Sequence, residues 1–148
     1  MINTFNKSLK GYKFIDLFAG IGGFHLALSS LGAECVYANE WDKHAQRVYK
    51  NNFSILPDGD ITKVDENTIP NHDILCAGFP CQAFSISGKQ RGFKDSRGTL
   101  FFDVARIVKA KKPKVVFMEN VRNFQGHDKG NTLSVVKNTL EELGYTFY

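Results

Sequence analysis

Lys13-Phe14-Ile15-Asp16-Leu17-Phe18, continued by Ala19-Gly20-Ile21-Gly22-Gly23, decides the fold. The first six residues form an apolar run of strand length, and the glycines after it suit a sharp turn into a helix. That helix carries Phe24, Ala27, Leu28 and Leu31 at helical spacing and closes at Gly32, the residue type favoured just past a helix end. The unit then repeats. Residues 33–40 read as a strand, and Asp42 caps a helix whose inner face is Ala45, Val48, Tyr49 and Phe53. A weaker third strand is expected near Asp60 and Ile61, and a fourth over residues 73–79, halted by Pro80, which cannot donate to a ladder.

Residues 80–98 are polar, contain glycine and lack any period, at a length where structureless loops are usually functional or disordered. A helix then starts at Thr99 or a neighbour, with Leu100, Phe101, Val104, Ile107 and Val108 on one face. The run 114–118 is continuous and rich in β-branched residues, as expected for a strand covered on both faces. A last helix carries Leu133, Val136, Leu140 and Leu143 before Gly144, and residues 145–148 look like the beginning of a further strand. Strands alternating with helices imply an α/β fold, a mostly parallel, doubly wound sheet that is incomplete at the C-terminus.

Composition agrees with one domain at most. The 148 residues are 43% hydrophobic and 23% charged, which excludes a disordered chain, a collagen-like repeat or a coiled coil. No apolar run is long enough for a membrane span and no signal-peptide core follows Met1, so a cytoplasmic protein is expected. Three cysteines, Cys35, Cys76 and Cys81, make no disulfide framework, and no His/Cys spacing suits a metal. The formal charge of +4 is a weak pointer to a polyanion.

Doubly wound sheets bind ligands beyond the carboxyl ends of their strands, so the strand ends are the candidate sites. At the first end, Phe18, Gly20, Ile21, Gly22 and Gly23 let backbone approach a ligand at a helix N-terminus. The run nearly matches the dinucleotide fingerprint, but His25 stands where its last glycine belongs, which weakens the pyrophosphate reading. Glu40, 20 residues after Gly20, ends the second strand, where an acid commonly holds ribose hydroxyls. Trp41 beside it offers a flat face for an adenine ring, and Asp60 with Ile61 offers an acceptor and an apolar wall. Loop, acid and aromatic together favour an adenosine-containing ligand.

Cys35 and Cys76 fall within expected strands and read as small hydrophobes, whereas Cys81 follows Pro80 at a strand end. A nucleophilic thiol needs a helix N-terminus or positive charge to lower its pKa. The loop after Cys81 supplies Lys89, Arg91, Lys94 and Arg97 against Asp95, with Ser85 and Ser87 as hydroxyls suited to phosphate and Gly88, Gly92 and Gly98 allowing movement. A solvated surface loop has the same composition, yet a basic lid beside a thiol fits a phosphate backbone better. Glu119 ends the next strand after four apolar residues; burial there would raise its pKa and suit it to proton donation near neutral pH.

Phe18-Ala19-Gly20-Ile21-Gly22-Gly23, Gly78-Phe79-Pro80-Cys81-Gln82 and Glu119-Asn120-Val121, in this order and at these intervals, resemble the first, fourth and sixth motifs of the DNA (cytosine-5) methyltransferases. Ile15-Asp16-Leu17, Asn39-Glu40-Trp41-Asp42, Gly59-Asp60-Ile61 and the run 83–98 extend the likeness through almost the whole chain, nearest the restriction-modification members. The resemblance implies a Rossmann-like methyltransferase fold with S-adenosylmethionine as donor and no metal. Phe18, Gly20, Ile21, Gly22 and Gly23 would line the donor site; Glu40 would hold the ribose, Trp41 would stack on adenine, Asp60 and Ile61 would contact the ring, and Pro80 and Leu100 would wall the methyl side. Cys81 would add to C6 of a cytosine extruded from double-stranded DNA, and Glu119 would protonate N3. Ser85, Ser87, Lys89, Arg91 and Arg97 would contact DNA.

The family pattern continues beyond this length with a Gln-x-Arg-x-Arg motif, a target-recognition domain and a last motif near the donor site. Residues 1–148 are therefore expected to be the N-terminal portion of a catalytic domain, with little sequence-specific activity alone and a complementing C-terminal polypeptide as partner. The expected location is the bacterial cytoplasm, at the nucleoid. Two other readings stay open: a non-catalytic nucleoside-binding module, against which both Cys81 and Glu119 speak, and an RNA-directed cytosine-5 methyltransferase, which shares the Pro-Cys pair.

Overall fold

The fold was obtained as a computed structural model, which describes residues 8–80 and 100–148. Four parallel strands form one sheet in the order β2-β1-β3-β4: β1 (Lys13–Leu17), β2 (Glu34–Asn39), β3 (Ile74–Ala77) and β4 (Val115–Met118). Among the described residues four helices alternate with them: α1 (Gly23–Ser30), α2 (Lys43–Phe53), α3 (Leu100–Lys111) and α4 (Asn131–Glu142). The chain runs from β1 outward to β2 and then crosses back to place β3 on the other side of β1. The switch point of this doubly wound sheet therefore lies between β1 and β3.

Alternation along the strands divides the core into two layers. Phe14, Ile74 and Cys76 point to one face, beneath Phe24 and Leu28 of α1. Ile15, Leu17, Leu75 and Ala77 point to the other, where they meet Phe101, Val104 and Ile107 of α3 and Val136 and Leu140 of α4. Both cysteines expected in strands lie there, Cys35 in β2 and Cys76 in β3. Asp42 caps α2 as expected, accepting from the backbone N–H groups of His44 and Ala45.

Several expectations are corrected. Ile61–Lys63 is a single 3-10 turn capped by Asp60, not a strand; the extended contact there is one isolated bridge between Asn39 and Asp58. A lone apolar residue flanked by Gly59-Asp60 and Thr62 favours a side-chain cap over a ladder. Residues 145–148 carry no strand; the Tyr145 N–H bonds back to Leu140 O, and its hydroxyl donates to Pro113 O at 2.6 Å. β4 is only partly covered on one of its two faces: Val115 and Phe117 are 49% and 56% exposed, and the Phe117 ring meets Phe24 of α1 edge-on at 5.4 Å. In α1 the buried residue is His25, while Ala27 and Leu31 face outward; in α2 Gln46 is buried and Val48 exposed. His25 belongs to the packing: its ring stacks on Phe53 at 3.9 Å, and Nδ1 meets the Tyr49 hydroxyl at 2.7 Å. The longest described helices have 12 residues, and none is long and apolar enough to cross a membrane.

Asp16 is the anomaly of the core. It sits fully buried in the middle strand, between Ala38 and Cys76, and among the described residues neither carboxyl oxygen has a hydrogen bond of good geometry. Burial pushes its pKa up to about 7; the His25 backbone N–H partly opposes this and the charge of Glu40 adds to it. The folded chain thus holds a proton that the unfolded chain releases above pH about 4. Stability contributed at this position is greatest in acid and falls as pH rises from about 4 to about 7, by on the order of 4 kcal/mol. Asp16→Asn, which has the same shape and no charge, should unfold at higher urea than the parent above pH 7, with the gain shrinking toward pH 4. Parallel urea curves with a constant offset across that range would show that Asp16 does not titrate in the fold.

Candidate functional site at the strand ends

The turn after β1 is built from left-handed backbone. Phe18 has φ 55°, Gly20 φ 56° and Gly22 φ 98°. The Gly22 N–H closes the turn on Ala19 O at 2.9 Å, and the Ala19 N–H is held by Asn39 O of β2, also at 2.9 Å. The glycines serve different needs. A Cβ on Gly22 would overlap the Phe53 ring, so this glycine lets α2 pack against the turn. Among the described residues a Cβ on Gly20 or Gly23 would meet nothing within 4 Å, so these two present bare backbone, as a ligand cradle requires.

Glu40 is tied into the same turn. One carboxylate oxygen, Oε2, accepts the Gly20 N–H at 2.7 Å, and Oε1 accepts the Asp42 N–H at 2.8 Å. Its carbonyl accepts from the buried Gln46 side chain of α2. The acid is therefore oriented by both neighbouring segments and keeps spare lone pairs for a diol. Trp41, 68% exposed, leaves its face free beside it. Asn39 reaches across with Nδ2 to the carbonyls of Asp58, at 3.2 Å, and Gly59, at 2.6 Å, which draws Asp60 and Ile61 toward the end of β2. The Asp60 carboxylate caps the turn through the Thr62 N–H and hydroxyl and pairs with Lys63 at 3.3 Å. The Thr62 hydroxyl bond leads in holding its pKa below the ordinary range. Ile61 is buried rather than open.

Across the switch point, β3 and β4 bring their ends to the same edge. The Gly78 N–H bonds to Leu17 O at 3.3 Å, and the Glu119 N–H continues the ladder to Ala77 O at 3.0 Å. A Cβ on Gly78 would stand 3.6 Å from Glu119 Oε2 and 4.0 Å from Phe18 O, so three strand ends converge on one glycine. Glu119 is exposed, so of the states open to a carboxylate at this strand end it takes the solvated one. Asn120 donates to Phe79 O at 2.9 Å and thereby anchors the approach to Pro80, which is exposed. Leu100 is half-buried at the first turn of α3. Cys81, Ser85, Ser87, Lys89, Arg91 and Arg97 lie outside the described residues. The other two thiols are ill suited to nucleophilic work: burial pushes Cys76 up to about 12 and raises Cys35 as well. Among the described residues no cluster of three His, Cys, Asp or Glu side chains could hold a metal ion.

Sequence reading missed Asn39, Gln46 and Asn120, which hold the site through backbone carbonyls. Their only signal was a polar residue beside a strand end or at a helix position facing inward.

Residues 12–148 match the family described as C-5 cytosine-specific DNA methylase. The chain is 73% identical over 148 residues to the type II methyltransferase M.HhaI of Haemophilus parahaemolyticus, covering 100% of this chain and 45% of that protein. It is 59% identical over 138 residues to the type II methyltransferase M.SsoII of Shigella sonnei, covering 93% of this chain and 36% of that one. The chain thus spans less than half the length of these curated relatives. The crystal structure of the Dnmt2 methyltransferase of S. pombe superposes with a TM-score of 0.69 at 22% identity over 88% of this chain and 42% of that one, a likeness of fold.

The two kinds of glycine are separable by mutation. Gly22→Ala should cost about 3 kcal/mol in urea denaturation, from left-handed strain plus overlap with Phe53. Gly20→Ala should cost about 1–2 kcal/mol, from strain alone, because its methyl enters open space. Equal losses at the two positions would show that the turn, rather than the Phe53 contact, sets the requirement.

Proposed function

The chain belongs to the C-5 cytosine-specific DNA methylase family, and on that premise we propose that it carries the donor-binding and nucleophile-bearing part of an enzyme that methylates C5 of cytosine in double-stranded DNA. The observation that carries this reading is the convergence of the Gly20–Glu40 cradle with the Gly78–Glu119 edge at one switch point. S-adenosylmethionine fits the first half: backbone at Gly20 and Gly23 is open to it, Glu40 presents a fixed carboxylate for the ribose, and Trp41 an unobstructed ring for adenine. Phe18, Ile21 and Gly22 shape the cradle, Asp60 and Ile61 approach the adenine, and Pro80 and Leu100 stand on the methyl side. When bound, the donor supplies an electrophilic methyl group on a sulfonium.

Cys81 and Glu119 divide the remaining chemistry. The Cys81 thiolate forms a bond to C6 of an extruded cytosine while Glu119 gives a proton to N3, which makes C5 electron-rich. A donor held in the Gly20–Glu40 cradle would supply the methyl group to this C5, its sulfur being the leaving group. Loss of the C5 proton to a base, with elimination of the Cys81 thiolate, restores the aromatic ring and releases 5-methylcytosine. Ser85, Ser87, Lys89, Arg91 and Arg97 contact the DNA backbone and exclude water from the site. The cell's DNA, at the nucleoid, is the proposed place of action.

The isolated chain is proposed to methylate weakly, with a complementing polypeptide required for site-specific action. The half-exposed apolar side chains of Val115 and Phe117 on β4 support a covering partner, since apolar side chains on a sheet face are ordinarily packed. A polypeptide equivalent to the remainder of the M.HhaI length is the natural complement to supply.

A suicide substrate tests the nucleophile. The chain plus that complement should form a covalent complex with 5-fluorocytosine DNA in the presence of S-adenosylmethionine. The complex should survive Cys76→Ser and vanish, by at least 100-fold, in Cys81→Ser; equal trapping by the two variants, or trapping on RNA alone, would overturn the assignment. For the donor site, Trp41→Ala should weaken S-adenosylmethionine binding about tenfold by calorimetry, and unchanged affinity would remove Trp41 from it.

A further inference from the structure

Three groups converge on the guanidinium of Arg106. Its Nη2 donates to the backbone carbonyl of Ile61 at 2.7 Å, Nη1 meets Glu66 Oε2 at 2.6 Å, and Nε donates to Asp103 Oδ1 at 3.0 Å. The side chain is 25% exposed and its two carboxylate partners 33% and 18%, so the cluster is part-buried between elements rather than splayed on the surface. Arg106 stands on α3, six residues after Leu100, or about 9 Å along the helix. Glu66 begins a second short 3-10 turn, Glu66–Thr68. A single planar fork thus joins α3 to both turns that follow β2.

The bond to Ile61 matters because its segment has little means of holding itself in place. A three-residue 3-10 turn is not self-supporting. Asp60 caps it locally, and Asn39 grips the chain just before it at Asp58 and Gly59. Past those carbonyls, the buried Ile61 side chain and Arg106 fix where the turn sits against the rest of the fold. Partly exposed ion pairs contribute little to stability. A displacement of about 1 Å at a recognition group, by contrast, is costly to what it recognises.

We propose that Arg106 is a positioning residue for base recognition in the donor site, holding Asp60 and Ile61 in register with the wall that begins at Leu100. This rests on the donor-site reading above, and it adds the residue that sets selectivity for a 6-aminopurine. With the Asp60 carboxylate in place, an exocyclic amino group is accepted and a 6-oxo group is repelled. With the turn released, the two purines become nearly equivalent. Lys at this position keeps a positive charge near Glu66 and Asp103, but it has no fork to reach the Ile61 carbonyl at the same time.

The test uses the whole 148-residue chain and two probes, S-adenosylhomocysteine and its counterpart with hypoxanthine in place of adenine. Calorimetry on the parent should show tighter binding of the adenine form by about 30-fold. Arg106→Gln and Arg106→Lys should each lower that ratio to under threefold, with the adenine form weakened about tenfold. General loss of folded protein lowers binding stoichiometry and leaves the ratio untouched. A parent-like ratio in either folded variant would overturn the proposal while leaving the donor site standing. Failure of both variants to fold would also count against it, placing Arg106 in the scaffold. Equal binding of the two probes by the parent would remove the Asp60 contact on which the proposal stands, and failure of the parent to bind either probe would overturn the donor-site reading itself.

Discussion

Parallel hydrogen bonding on both sides of β1 is the constraint on which the rest depends. A central strand paired with β2 on one side and β3 on the other forces the chain to reverse its winding after β2. The loops after β1 and β3 must then part in opposite directions and leave a cleft. The 2.7 Å bond from the Gly20 N–H to Glu40 turns that cleft into a defined site, because it joins the loop after β1 to the end of β2. On the other side Gly78 lies where the ends of β1, β3 and β4 meet, within ordinary van der Waals range of Phe18 O and Glu119 Oε2.

Carbonyl-directed amides and one guanidinium hold this edge together. Gln46 takes the Glu40 carbonyl, Asn39 those of Asp58 and Gly59, Asn120 that of Phe79, and Arg106 that of Ile61. Backbone carbonyls in irregular segments need partners when water is scarce, and each donor here comes from a neighbouring strand, a helix or, for Asn120, the segment just past β4. The functional side chains are thereby placed by elements whose positions the sheet already determines.

The regular parts of this architecture were legible in the sequence because continuous apolar runs and helical spacing report burial directly. Phe14 to Leu17, Ile74 to Ala77 and the buried face of α3 all lie where their patterns place them. The misreadings share a cause. Val115 and Phe117 have the composition of covered residues, but composition does not say which side of a sheet a helix packs on. Asp60 and Ile61 sit next to β2 through one bridge and a side-chain cap, neither of which has a period. His25 looked like a fault in a glycine pattern; it is buried because Phe53 and Tyr49, 28 and 24 positions on, receive its ring. Glu40, Trp41 and Glu119 could be named from their strand-end positions, whereas Asn39, Asn120 and Arg106 act through partners 19 or more positions away, and Gln46 through a carbonyl six positions back that no helical spacing marks.

Part of the cost of this fold lies where chemistry is expected. Asp16, buried without a good hydrogen bond, lies two residues before Phe18, a bulky side chain in left-handed backbone, and both flank the carboxyl end of the central strand. The positive φ of Ser54, by contrast, caps α2, and that of Lys112 directly follows α3, where such geometry is ordinary. A chain selected for stability alone would place an apolar residue at 16 and a glycine at 18. Retaining a carboxyl and an aromatic ring there is the pattern of a site whose geometry matters more than its contribution to folding.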